Sequence, residues 1–185
     1  MMRYFLDTEF IEDGKTIDLV SIGIVSEDGR EYYAISTEFD ESKASDWVKE
    51  NVIDQLEPRN QAGSTFWKPR SQIRTEVLRF IKSPWAENNY VSTLSEDEYY
   101  HQLSIPDLIE FWGYYADYDW VVFCQLFGTM MDLPTGFPMY CRDIKQWCDE
   151  SDNPKLPEQD EGEHNALADA KWNKHAWEWL NQLNK

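Results

Sequence analysis

Arg3-Tyr4-Phe5-Leu6-Asp7-Thr8-Glu9 is a short, aromatic-rich run that ends against the polar Glu12-Asp13-Gly14. That pattern predicts a strand over residues 3–9. A second, β-branched strand is predicted over residues 17–25 from Leu19, Val20, Ile22 and Ile24, and Asp28-Gly29 then supplies a hairpin-type turn into a third over residues 31–37. Three strands on short connections make an antiparallel meander. Further along, residues 43–54 read as helical, and Pro69 precedes Ile73, Val77, Leu78, Phe80 and Ile81 at helical spacing. Residues 108–116 suit a buried strand, 119–131 a helix capped by Asp119, and 165–183 a final amphipathic helix. Residues 83–106 are polar and acidic in large part and read as an inserted loop. Residues 149–163 hold seven acids, one Lys and two prolines and read as irregular chain. A meander followed by strands alternating with helices predicts one α/β domain over residues 1–185, built on a mixed sheet flanked by helices.

With 185 residues, 42% hydrophobic content and nine Trp, the chain is long and apolar enough to bury a real core. Asp7 interrupts the N-terminus before a signal-peptide apolar run can form, and no later run approaches a membrane span, so a cytoplasmic protein is expected. Cys124, Cys141 and Cys148 are odd in number and lack C-x-x-C spacing, which argues against a disulfide framework or zinc site and for buried packing.

The net charge is −18, unusual for a protein that binds phosphates. The charge is unevenly spread. Arg59, Lys68, Arg70, Arg74, Arg79 and Lys82 are opposed in their segment only by Glu76. This strip is either a local guide for a polyanion, with Arg70 and Arg74 as candidate substrate contacts, or a helix face with ordinary salt bridges.

Three separated motifs carry the candidate chemistry: Asp7-Thr8-Glu9, Ala116-Asp117-Tyr118-Asp119 and His164-Asn165-Ala166-Leu167-Ala168-Asp169. On a strand, Asp7 and Glu9 share a face with about 7 Å between attachment points. Two such carboxylates can bracket a metal pair about 3.5–4 Å apart. Asp119 is a favoured N-cap residue at the end of a buried strand, a place where α/β folds also put functional groups. His164 stands at the mouth of the last helix and Asp169 about one turn inside it. An imidazole, with an ordinary pKa of about 6.5, is a natural base at neutral pH. Phe10 is placed either to stack on a base or to fill the core, and the surroundings of Thr8 and Glu9 are candidates to meet a ribose 2′-OH.

The order D-x-E, A-x-[FY]-D, H-x4-D resembles the DEDDh subgroup of 3′-to-5′ exonucleases, which have a ribonuclease H-like fold. In that family the middle motif ends in an aromatic followed by a metal-binding acid. Tyr118-Asp119 fits this, which favours Asp119 over Asp117. Residues 4–14, 27–33, 36–40 and 124–126 further resemble an adenylate-specific exoribonuclease branch. Three departures stand out: residues 83–106 are longer, Tyr114-Tyr115 replaces the usual His-Asn, and the chain before His164 is more acidic. The departures leave base preference open.

The resemblance implies two Mg²⁺ ions, replaceable by Mn²⁺, held by Asp7, Glu9, Asp119 and Asp169, with His164 as base. It also implies attack on the last phosphodiester of single-stranded RNA, release of a nucleoside 5′-monophosphate, and a homodimer. A DNA-directed exonuclease of the same fold is the alternative within enzymes. An acidic nucleic-acid mimic suits the net charge, but mimicry needs surface acids rather than carboxylates set within apolar strand and helix patterns.

Overall fold

A computed structural model of the chain describes residues 1–86, 95–105, 108–159 and 162–183. The meander is present as β1 (Met2–Glu12), β2 (Ile17–Ser26) and β3 (Glu31–Ser36). Two-residue strands β4 (Trp67–Lys68) and β6 (Arg142–Asp143) and the buried β5 (Ile109–Gly113) complete the sheet. Its order is β4-β3-β2-β1-β5-β6. Pairs β1–β2 and β2–β3 are antiparallel, while β1–β5, β3–β4 and β5–β6 are parallel. This is the expected mixed sheet.

Helices α1 (Asp46–Asn51), α2 (Arg70–Lys82), α3 (Glu96–Gln102), α4 (Asp117–Gln125), α5 (Ile144–Glu150) and α6 (Ala166–Leu183) surround it. Alternation along β1 feeds two cores. Tyr4 and Leu6 join Ile22, Ile24, Ile73, Val77, Leu78, Phe111 and Phe123 beneath α2 and α4. Phe5 points the other way, into Ile144, Cys148, Ala176, Trp177 and Leu180 of α5 and α6. Each of the Leu, Ile, Val and Phe side chains among them is worth about 1.5–3 kcal/mol when buried. Both faces of the sheet are thus covered, as its parallel strands require.

Three expectations are corrected. Residues 83–106 are not simply a loop: they include a 3₁₀ turn at Ser83–Trp85 and helix α3, whose Ser95 and Glu98 form a capping box. Residues 87–94 and 106–107 of that segment lie outside the described residues. Helix α4 begins at Asp117, so Asp119 lies inside its first turn rather than capping it. The Ala116 amide just ahead is satisfied from β6, where Asp143 Oδ2 accepts its N–H at 2.8 Å. Finally, α4 stops at Gln125 and not near Met131. Gly128, at φ +123°, turns the chain, and Thr129 and Asp132 cap a separate turn.

All three cysteines are free, with Cys124 and Cys148 buried. Of the nine Trp, only Trp47 is exposed, so the indoles serve mainly as packing. Among the described residues, no helix is long and apolar enough to cross a membrane.

Candidate active site

Asp7 and Glu9 continue the Phe5 face of β1 and so meet α6 on the same side of the sheet. Asp169 comes to them because α6 lies directly on β2. A side chain at Gly23, the register partner of Asp7, would place its Cβ only 2.1 Å from the Ala166 carbonyl oxygen. Glycine therefore permits the approach. Farther along α6, buried Asn173 donates to the Leu6 carbonyl at 2.9 Å, fixing the helix to the strand that carries the acids. Asn165 Oδ1 accepts the Leu167 and Ala168 N–H groups and caps the helix.

One carboxylate oxygen from each of Asp7, Glu9 and Asp169 lies within 4.8 Å of the others. Asp119 joins from α4. It is buried, and its Oδ1 accepts both the backbone N–H and the hydroxyl of Thr8, at 2.8 and 2.7 Å. Asp117 is exposed on the outer side of the same turn.

The electrostatic consequences follow from burial and crowding. Loss of solvent, then the neighbouring Asp119, Asp169 and Glu9, push the Asp7 carboxyl well above the usual range. Burial and the charges of Asp169 and Asp119 lift Glu9 to about 8. Burial raises Asp119 to about 6, against the lowering effect of its Thr8 hydrogen bonds. Asp169 is also raised by burial, while Gln159 and His164 pull the other way. Gln159 Nε2 donates to Asp169 Oδ1 at 2.8 Å. Four carboxylates that resist ionising together are a donor set suited to hard divalent cations, which take oxygen ligands. Residues present and cation therefore fit: Asp7, Glu9 and Asp169 on one side, with Asp119 adjacent.

His164 is exposed at the mouth of the site in the left-handed region, φ +67°, and its ring stands edge-on to Trp47, 4.8 Å between centroids at 81°. A cavity of about 500 Å³ opens beside the cluster, lined by Asp7, Tyr114, Gln159, Glu163, His164, Asp169, Trp172 and Asn173. A cavity of about 460 Å³ elsewhere, between Ile109, Phe137 and Arg142, contains none of the four acids.

The five residues Asp7, Glu9, Asp119, His164 and Asp169 are thus brought to one place. Thr8 faces inward and spends both donors on Asp119, acting on that carboxylate. Phe10 is half-buried at the edge of the larger core and stacks on exposed Tyr118, 5.9 Å apart at 18°. Arg70 pairs with Asp18 and Arg74 with Asp97 at 2.9 Å, and neither lines the cavity. Lys68 and Arg79 likewise pair with Glu76 and Glu96, so four of the six cations of the strip stand in salt bridges, while Arg59 donates to the Thr37 carbonyl and Lys82 to the His101 and Leu103 carbonyls. Sequence reasoning missed Gln159, Asn173, Gly23 and Trp172. Asn173 had a signal, since it lies four residues after Asp169 on one helix face. Gln159, on irregular chain, had none.

Fold and acid cluster together define a DEDD-type exonuclease with a ribonuclease H-like sheet. The chain belongs to the 3′-5′ exoribonuclease Rv2179c-like domain family, which it matches over residues 2–180. It is 41% identical over 170 residues to the 3′-5′ exoribonuclease Rv2179c of Mycobacterium tuberculosis strain H37Rv, and equally to its counterpart MT2234.1 in strain CDC 1551. In each case 92% of this chain and 88% of the relative are covered. The Mg²⁺- and Mn²⁺-bound structure of S. pombe Pop2p superposes with a TM-score of 0.59 at 12% identity, over 97% of this chain and 82% of that one, a likeness of fold.

Proposed function

We propose that the protein is a divalent-metal-dependent 3′-5′ exoribonuclease of the DEDDh type, releasing nucleoside 5′-monophosphates and preferring adenylates. The observation that carries this reading is the meeting of Asp7, Glu9 and Asp169 within 4.8 Å, beside Asp119 and at the foot of a cavity that also holds His164. Asp7, Glu9 and Asp169 are suited to hold one cation, and Asp119 with Asp7 a second. Cations bound there would supply Lewis acidity to a phosphodiester displacement. Thr8 fixes Asp119, and Gln159 holds Asp169. His164, exposed beside the cluster, takes the proton from the attacking water.

Adenylate preference rests on the resemblance of residues 4–14, 27–33, 36–40 and 124–126 to ribonuclease AS, an adenylate-specific exoribonuclease. The cavity's aromatic walls, Tyr114 and Trp172, offer π-faces on which any base can stack, so they support binding of single-stranded nucleic acid and leave the choice of adenine to the resemblance. The homologous M. tuberculosis proteins support the 3′-5′ exoribonuclease part of the reading, and the Mg²⁺- and Mn²⁺-bound Pop2p supports its use of divalent cations. A homodimer is part of the same reading, checked by sedimentation of the intact chain.

The test is direct: end-labelled homopolymer RNAs and matching DNAs are incubated with Mg²⁺, Mn²⁺ or EDTA. The expected result is a ladder shortening from the 3′ end, fastest on oligoadenylate RNA and abolished by EDTA. Cleavage that persists in EDTA, or internal cuts, overturns the proposal, and faster shortening of DNA makes it a deoxyribonuclease instead.

A further inference from the structure

Tyr114 and Tyr115 connect β5 to α4 and stand where the acid cavity meets solvent. Tyr114 lines the cavity with Asp7 and Asp169, and its ring lies 5.0 Å from Trp172 at 80°. Trp172, also in the lining, is held by its indole N–H, which donates to the Pro157 carbonyl at 3.0 Å. Tyr115 continues the series outward, 4.7 Å from Tyr114 at 64°, and is 62% exposed. Its backbone is at φ +54°, a conformation that bulky aromatics rarely adopt. Strain of this kind persists where the surroundings or the function maintain it.

The charge distribution says what such a ladder is for. No Lys or Arg lines the cavity among the described residues, Arg70, Arg74 and Arg79 of α2 already face carboxylates, and Lys82 is buried against the His101 and Leu103 carbonyls. On a body of net charge −18, phosphate contacts are a poor source of affinity for RNA. Base stacking remains; it is tolerant of sequence, and without phosphate contacts it releases no counterions.

We propose that Tyr115, Tyr114 and Trp172 form a stacking subsite for a base of single-stranded RNA adjoining the reacting end. The inference rests on the exoribonuclease reading and adds where the strand lies and what holds it. Binding is measured by anisotropy of 5′-fluorescein hexaadenylate in Ca²⁺, which occupies oxygen sites, and cleavage separately in Mg²⁺. Tyr115→Asn removes the ring and keeps a residue tolerant of positive φ. It is expected to weaken binding about 5- to 100-fold, with an unchanged or higher Tm, and Tyr115→Phe is expected to restore affinity. Wild-type affinity is expected to fall less than about threefold between 50 and 200 mM salt, well short of what many phosphate contacts impose.

An unmoved affinity in Tyr115→Asn, a steep salt dependence, or failure of the wild type to bind the oligonucleotide overturns the subsite. RNA that is bound as expected, with Tyr115-dependent affinity, yet never shortened in Mg²⁺ overturns the exoribonuclease reading and leaves the subsite standing.

Discussion

Thr8 gives both its backbone N–H and its hydroxyl to the same oxygen of Asp119. The strand that presents Asp7 and Glu9 therefore also fixes the acid arriving from α4. These two bonds oppose the burial that raises the Asp119 carboxyl to about 6. Thr8→Val keeps the side-chain shape and deletes only the hydroxyl. Asp119 should then titrate higher and hold cations less firmly. Loss of a group that orients a metal-binding ligand typically costs about 10–100-fold in metal affinity or activity. A Mg²⁺ titration of activity at pH 7 checks this, with the expected loss partly recovered at high Mg²⁺. A variant with the wild-type Mg²⁺ curve refutes the positioning role.

Much of this arrangement is legible in the chain. Strand period 2 places Asp7 and Glu9 on one face, and the apolar patterns of the meander and of α6 set the sheet and the last helix. Spacing within the H-x4-D motif puts His164 at the start of that helix and Asp169 one turn in. What escapes is non-local. The start of α4 depends on Asp143, 27 residues from the amide it satisfies. The role of Gly23 depends on Ala166 arriving from the far end of the chain. Helix α3 is different, because its signal is local: Ser95 and Glu98 have the spacing of a capping box, which marks a helix start within a polar segment. The cationic strip could be read two ways because Asp18, Asp97 and Glu96 reach it only on folding.

Gly23→Ala tests the close approach of α6. The added methyl would meet the Ala166 carbonyl and the Leu167 Cα, at 2.1 and 2.5 Å, and backbone cannot rotate away. Overpacking of this kind costs about 1–3 kcal/mol. The helix start must shift, and His164 and Asp169 shift with it. The expected outcome is a lower midpoint in denaturant together with a larger proportional loss of exonuclease activity. Retention of both would show that α6 does not sit as close as described.

Asp7→Asn separates stability from function. Asp7 is raised first by burial and then by its neighbours Asp119, Asp169 and Glu9. A neutral amide of the same shape relieves that crowding, so in EDTA at pH 8 the variant should be the more stable by about 0.5–2 kcal/mol. Metal-dependent cleavage should vanish. Urea unfolding and a cleavage assay on the same preparation check the two halves. A destabilised variant would mean that Asp7 is a structural hydrogen-bond partner.

The same carboxylates tie folding to pH and to divalent cations. Glu9 moves from an ordinary 4.5 to about 8, and Asp119 from 3.8 to about 6. Between those limits the folded chain holds protons that the unfolded chain has released. Stability therefore decreases as pH rises through that window, from about 4 to about 8 in EDTA. A bound cation replaces those protons and stabilises the native state through linkage. Protons compete with it less as pH rises, so the gain in Tm from 10 mM Mg²⁺ should be small near pH 5 and largest near pH 8. Taking the difference between Mg²⁺ and EDTA at each pH removes the contribution of the other acids, most of which are far from the cluster. Thermal melts in both conditions across that range provide the measurement. A Mg²⁺ shift that is the same at pH 5 and pH 8, or that survives in Asp7→Asn, would place the bound ion somewhere other than among these four side chains.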